Sequence, residues 1–155
     1  MTIEHLDDIL GRHALFKGLS ASFTDLMVGC SKNVVFHEGE YLCREGDPAD
    51  EIFLVRHGHV GLEISAPGRG SMMFQTAGTD EVIGLSWLVP PYRWTYDGRA
   101  IETTRAISIN AQCLREKCEK DHDLGYEVMK RFTPVIVERL HSTRLQLLDL
   151  YGGRG

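Results

Sequence analysis

The sequence has no run of lysine or arginine, no Cys-x-x-Cys pair, and no apolar stretch near the ~20 residues that cross a bilayer. Each absence excludes something. Without a basic patch, a dedicated nucleic-acid surface is not expected, and the net charge of −5 points the same way. Without a long apolar segment, no membrane partner is expected. The opening residues Met1-Thr2-Ile3-Glu4-His5-Leu6-Asp7-Asp8 are too acidic for a signal peptide, so the expected address is cytoplasmic. Catalytic signatures are missing too: there is no Gly-x-Ser-x-Gly, no Walker loop and no His-Glu-x-x-His. Asp7-Asp8, Glu116 and Glu119 read as solvated faces, and the chain is not expected to be an enzyme. Cysteine is sparse: Cys30, Cys43, Cys113 and Cys118. In a reducing compartment these read as four free, mostly buried thiols, with a redox sensor as the minor alternative.

What is present begins with residues Val34 to Ile64. Short runs rich in Val, Ile, Phe and Leu are separated by Glu38-Gly39, Gly46-Asp47-Pro48 and His57-Gly58. This is the punctuation of short strands and tight turns, where Gly supplies the positive φ that other residues resist. Val60, Leu62 and Ile64 alternate with Gly61 and Glu63, so one face can enter a core. The predicted fold class is α+β, mainly β: a β jelly roll flanked by helices. A chain of 155 residues suits one domain over 1–155. Its parts are a helical segment 1–32, a jelly roll 33–110 containing an irregular stretch 83–97, and C-terminal helices 113–151.

Ile3, Leu6, Ile9 and Leu10 predict a short amphipathic helix over Thr2–Leu10, and Ser20 caps a second one carrying Phe23, Leu26 and Met27. Met72–Thr76 and Val82-Ile83 read as strands, and strand character resumes from Arg99 to about Asn110. In between, Leu85–Val89 reads as one helical turn stopped by Pro90-Pro91. A short helix is predicted over Cys113–Glu119. Asp121 or Asp123 then caps a long one from about Leu124 to Leu150, kinked at Pro134. Met129, Phe132, Ile136, Leu140, Thr143, Leu147 and Leu150 form a near-heptad seam along it.

Gly39-Glu40 after an apolar strand, Glu45-Gly46-Asp47, and Ile52-Phe53-Leu54-Val55 running into Gly58 and Val60 resemble the cyclic nucleotide-binding domain. Leu15-Phe16-Lys17-Gly18-Leu19-Ser20 is similar to that family's short first helix, and the resemblance extends from about Leu15 to Tyr151. It implies a regulatory or sensing role, with cyclic AMP or cyclic GMP as ligand. It also places a phosphate-binding cassette at Ile83–Arg99, where backbone N–H groups and a helical dipole favour an anion. The candidate ligand-binding residues are Gly84, Leu85, Ser86, Trp87, Arg93, Trp94 and Thr95. Gly84 matches the family's glycine, but Leu85 stands where a Glu accepts the ribose hydroxyl, and leucine accepts nothing. Trp94 falls at the position of the phosphate-pairing Arg, with Arg93 one residue away and turned to the other face of an extended strand. Three readings follow: a cassette turned into packing, a different and more aromatic ligand held by stacking and Arg93, or ordinary cyclic nucleotide binding.

A rival reading starts from His57, His59 and Glu63. The spacing His-x-His-x-x-x-Glu, with Gly70 beyond it, resembles the first metal motif of the cupins, which share the jelly roll; Zn, Fe, Mn or Ni would suit such ligands. Glu51 replaces the glycine expected before it, and the later histidines, His122 and His141, fall in the helical part. The alternative function is thus a small cupin-like metalloenzyme.

In catabolite-activator-type regulators an equivalent long helix makes the dimer and leads into a DNA-binding domain. This sequence stops at Gly155, without a reading helix. The expectation is a stand-alone sensor, a homodimer through its C-terminal helix, which passes its signal to an effector protein and binds a nucleotide-like or other small anionic ligand weakly or not at all.

Overall fold

The computed structural model describes residues 13 and 15–152, so the helix expected over Thr2–Leu10 lies outside the described residues. Helix α1 (Ala21–Val28) begins at Ser20, whose hydroxyl accepts from the Phe23 N–H, and buries Thr24 and Met27. Eight strands follow: β1 (Ser31–Phe36), β2 (Tyr41–Cys43), β3 (Glu51–His57), β4 (Val60–Ala66), β5 (Gly70–Ala77), β6 (Val82–Ile83), β7 (Asp97–Ala100) and β8 (Thr104–Asn110). They form two four-stranded sheets in the orders β1-β8-β3-β6 and β2-β7-β4-β5, with all pairs antiparallel. This is the expected jelly roll. Apart from the β4–β5 hairpin, consecutive strands leave one sheet for the other, so the turns carry much of the topology. Gly39, Gly46 and Gly58 all adopt positive φ at these corners.

The central strand β3 shows why helices are needed. Ile52, Phe53, Leu54 and Val55 are all buried, so both faces of the strand are covered. On one side Phe53 packs edge-on against Phe36 and stacks on Trp94. On the other lies a helical layer made by α2 (Ala111–Lys120), which packs on β3 and β8, and by α3 (His122–Gly152). Leu114, Leu124, Val128 and Phe132 of that layer are fully buried in the same core as β3. Burial of each such side chain is worth about 1.5–3 kcal/mol against exposure.

Asn110 caps α2, its Oδ1 accepting from the Cys113 N–H at 2.9 Å. Asp121 Oδ1 accepts from the N–H groups of Asp123 and Leu124, each at 3.1 Å, and so opens α3. Helix α3 continues through Pro134 as one element.

Two expectations are corrected. The strand character read from Arg99 to Asn110 belongs to two strands in opposite sheets, β7 and β8, because the chain turns at 101–103. That turn contains Ile101, Glu102 and Thr103, with no Gly or Pro to announce it. The four cysteines are also not all free thiols. Cys30 and Cys113 form a disulfide, with Cα atoms 5.8 Å apart at a sequence separation of 83, while Cys43 and Cys118 are free. The Asn110 N–H donates to the Cys30 carbonyl at 2.7 Å, which brings the end of α1 to the start of α2. No sequence spacing announces that junction.

Candidate functional site

The irregular stretch after β6 is built from a tight turn and two aromatic anchors. Gly84 has φ +122°, a conformation that side chains resist, and it turns the chain out of β6 into a single 3-10 turn, Ser86–Leu88. A β-carbon at Gly84 would stand 3.2 Å from the Trp94 ring, 3.3 Å from the Glu51 carbonyl oxygen and 3.4 Å from Ile52 Cα. Leu85 and Ser86 are half-buried, and the Leu85 carbonyl accepts from the Leu88 N–H to close the turn. Trp87 points away from the sandwich interior and meets Phe132 of α3 edge to face, with centroids 5.3 Å apart. The Trp87 carbonyl accepts from Arg115 Nη1 at 3.0 Å, and the same guanidinium lies 4.2 Å over the Tyr92 ring. The turn is thus fastened to the helical layer.

Beyond Pro90-Pro91 the chain pairs with the β2–β3 loop. The Ala49 N–H donates to the Tyr92 carbonyl, the Trp94 N–H to the Asp47 carbonyl, and the Gly46 N–H to the Trp94 carbonyl, at 2.7 to 2.9 Å. Arg93 points outward from this pairing and donates from Nη1 to the Gly46 carbonyl at 2.8 Å. Thr95 is exposed beside it. Trp94 points inward and is 5% exposed. It stacks on Phe53 at 6.3 Å and meets Tyr96 at 5.8 Å, and Tyr96 in turn meets Phe74 at 5.9 Å. With Phe36, these rings form a continuous aromatic ladder through the sandwich. Gly84 and Trp94 are therefore brought together, whereas Trp87 turns to the helical layer and Arg93 and Thr95 are exposed.

The sequence reading did not include the helix residues that face this region. Arg139 of α3 donates to the Val82 carbonyl, and Gln146, about two turns further on, donates to the Phe74 carbonyl at 2.6 Å. Arg131 donates from Nη1 to the carbonyls of Leu15 and Lys17. Their spacing (131, 135, 139, 142, 146) marks one helix face, and that periodicity was the available signal. Between this face and β5–β6 runs a cleft of about 690 Å³, lined among others by Thr76, Val82, Val135, Glu138 and Arg139. The buried Tyr96 hydroxyl lies near Arg139. Burial raises the pKa of that phenol, against the opposing pull of the Arg139 charge.

The metal reading is corrected. Glu63 is buried and accepts from Arg99 Nη2 and Ser71 Oγ, both at 2.7 Å. His59 Nδ1 pairs with Glu102 at 2.6 Å, and His57 is exposed at the end of β3. Among the described residues no three His, Cys, Asp or Glu side chains are grouped to hold a metal ion. Glu63 already has its cation, so the motif serves sheet packing.

Comparison with known proteins agrees with this architecture. The cyclic nucleotide-binding domain model matches residues 33–121. A CRP-like cAMP-activated global transcriptional regulator of Mycobacterium tuberculosis is 24% identical over 145 residues; the match covers 94% of this chain and 63% of that protein's length. A structure from Geobacter metallireducens described as that of a cyclic nucleotide-binding protein superposes with TM-score 0.79 at 26% identity, covering 90% of this chain and all of the other. A cyclic nucleotide-binding domain from Methylobacillus flagellatus gives 0.78 at 19% identity, over 93% of this chain and 81% of that one. No helix among the described residues is long and apolar enough to cross a membrane.

Proposed function

The chain belongs to the cyclic nucleotide-binding domain family, and from that membership we propose that it is a regulatory domain whose cassette has become packing. It then binds cyclic AMP or cyclic GMP weakly or not at all. The observation that carries this reading is the buried Trp94 ring against Gly84, 3.2 Å from a β-carbon there. The indole supplies no cation for a phosphate, and its stacking on Phe53 fills the space beside the turn.

Two further features support it. Leu85 offers no acceptor for a ribose hydroxyl, and losing a hydrogen bond to a charged acceptor typically forfeits ~1.5–3 kcal/mol, roughly one to two powers of ten in affinity. Arg93 is turned outward and bonded to the Gly46 carbonyl, away from Gly84. Such a domain acts through protein contacts and not through catalysis. Its exposed Ile136, Leu140, Leu147 and Leu150 suit a homodimer along α3, and an effector protein would receive its signal. Titration calorimetry with both cyclic nucleotides tests the reading. No measurable heat, or a constant weaker than micromolar, is expected; a submicromolar constant for either nucleotide overturns it.

A further inference from the structure

Cys30, 7% exposed, is about as buried as Cys43, and Cys113 is half-buried like Cys118, so what sets the bonded pair apart is the place of Cys113 at a helix start. Cys43 is buried and its thiol is pushed up to about 12, first by desolvation. Cys118 is pushed up by burial and by the carboxylates of Asp121 and Glu119. Both therefore stay protonated and unreactive. Cys113 instead sits in the first turn of α2, a ten-residue helix, where the helix dipole favours negative charge on sulfur. Lys117, one turn further on, shares with Cys113 the lining of a cleft of about 340 Å³. Its ammonium lies 4.0 Å from where a β-carbon on Gly29, the neighbour of Cys30, would stand. Both cysteines also line a second cleft, of about 280 Å³, together with Lys32 and Ser108. Only the second cleft is lined by both cysteines, and there Lys32 pairs with Glu51 at 3.9 Å; the first, which Cys113 alone reaches, carries Glu116 and Asp121 beside Lys117 and Lys120.

We propose that Cys30 and Cys113 form a reversible thiol-exchange site, opened by a low-molecular-weight thiol of the glutathione class and closed by the corresponding disulfide. An incoming thiolate attacks Cys30 Sγ and the Cys30–Cys113 bond breaks. Its electron pair leaves on Cys113 Sγ as a thiolate held at the helix N-terminus. A second thiol, as thiolate, attacks the outer sulfur of the mixed disulfide and releases Cys30. Overall, one protein disulfide and two small thiols become one protein dithiol and one small disulfide, a two-electron exchange that consumes no other reagent.

The bond is not the only tie at this junction. The Asn110 N–H donates to the Cys30 carbonyl at 2.7 Å, the Ala111 N–H to the Asp50 carbonyl at 2.8 Å, and Ala111 and Leu114 are buried, so the junction is expected to survive opening. Exchange therefore adds or removes one covalent tether between the sandwich and the helix that leads directly into α3.

The test equilibrates the full chain with mixtures of reduced and oxidised glutathione, then quenches with acid, alkylates and maps each cysteine by mass spectrometry. The expected result is a Cys30–Cys113 disulfide and a dithiol that interconvert with the glutathione ratio, with unchanged far-ultraviolet circular dichroism. In the dithiol form Cys113 should alkylate about tenfold faster than Cys118 at neutral pH, and Lys117→Gln should slow Cys113 alone. The proposal is overturned if oxidised glutathione forms no such bond, if millimolar reduced glutathione leaves it intact, if opening unfolds the chain, or if Cys113 reacts no faster than Cys118.

Discussion

The Trp94 ring lies against the backbone of Gly84, 3.2 Å from where a side chain there would begin. That contact joins the two ends of the cassette through an aromatic ring, where the family arrangement has an arginine and a bound phosphate between them.

Trp94→Ala tests whether the ring is structural. The ring is buried and touches both Phe53 and Tyr96, so truncation removes contacts on two sides and leaves a cavity. Large aromatic-to-alanine changes in such sites cost ~3–5 kcal/mol. Chemical denaturation should show a loss in that range, and a loss under about 1 kcal/mol, at the level of a surface substitution, would mean that Trp94 is not part of the core.

Leu85→Glu combined with Trp94→Arg tests the converse, that these two positions account for the missing ligand chemistry. The glutamate restores an acceptor for a hydroxyl and the arginine a cation within reach of Gly84. The double variant should bind cyclic AMP measurably where the parent does not. A variant that keeps its circular dichroism spectrum but gains no affinity would locate the loss elsewhere, with the pairing of 92–94 to 46–49 as the next suspect.

The sequence spelled out the sandwich because period-two alternation and glycine corners are local signals. Gly39, Gly46 and Gly58 all take the positive φ that their positions implied. The inward turn of Trp94 and the outward turn of Arg93 followed from the same alternation. What escaped were relations between distant segments. The turn at 101–103 has no glycine, so two strands in different sheets looked like one. The Cys30–Cys113 bond depends on where α1 ends relative to α2. Arg139 reaches Val82 across 57 residues, and only the docked helix shows it. Phe132, read as part of the exposed seam, is buried against Trp87.

His13 gives a pH dependence. Its Nδ1 accepts from the Leu15 N–H at 3.1 Å, and the ring is buried, with no hydrogen-bond partner at Nε2. Desolvation lowers its pKa below the ordinary 6.5, with Asp80 pulling weakly the other way. The folded state therefore keeps the ring neutral at pH values where the unfolded chain protonates it. The unfolded state binds more protons below 6.5, so stability is complete above that pH and falls as the pH drops through 6.5 towards the lowered folded value. Denaturation midpoints between pH 7.5 and 5 should decline on this account, and His13→Gln should flatten that part of the profile. An identical slope in the variant would assign the effect to other groups.

The proposed dimer is tested at α3. Arg139, Ser142 and Gln146 face the sandwich, as the bonds to Val82 and Phe74 and the lining of the cleft require. Ile136, Leu140 and Leu147 sit roughly 60–100° round the helix from Arg139, and Leu150 roughly 20°; they are 41%, 49%, 48% and 60% exposed in the order Ile136, Leu140, Leu147, Leu150. An apolar line of that length is seldom left in water, and a second copy of the same helix would cover it with matching spacing. Sedimentation at micromolar concentration should therefore give a dimer. Leu140→Glu places a carboxylate in the middle of the line, where pairing would desolvate it, and should yield a monomer with an unchanged fold. Leu145 is equally exposed but lies roughly 140° from Leu140 round the helix, so Leu145→Glu should leave the dimer intact. A parent protein that sediments as a monomer, or equal effects of the two substitutions, would mean that the seam does not pair, and the exposed side chains of α3 would then have to be covered by another protein.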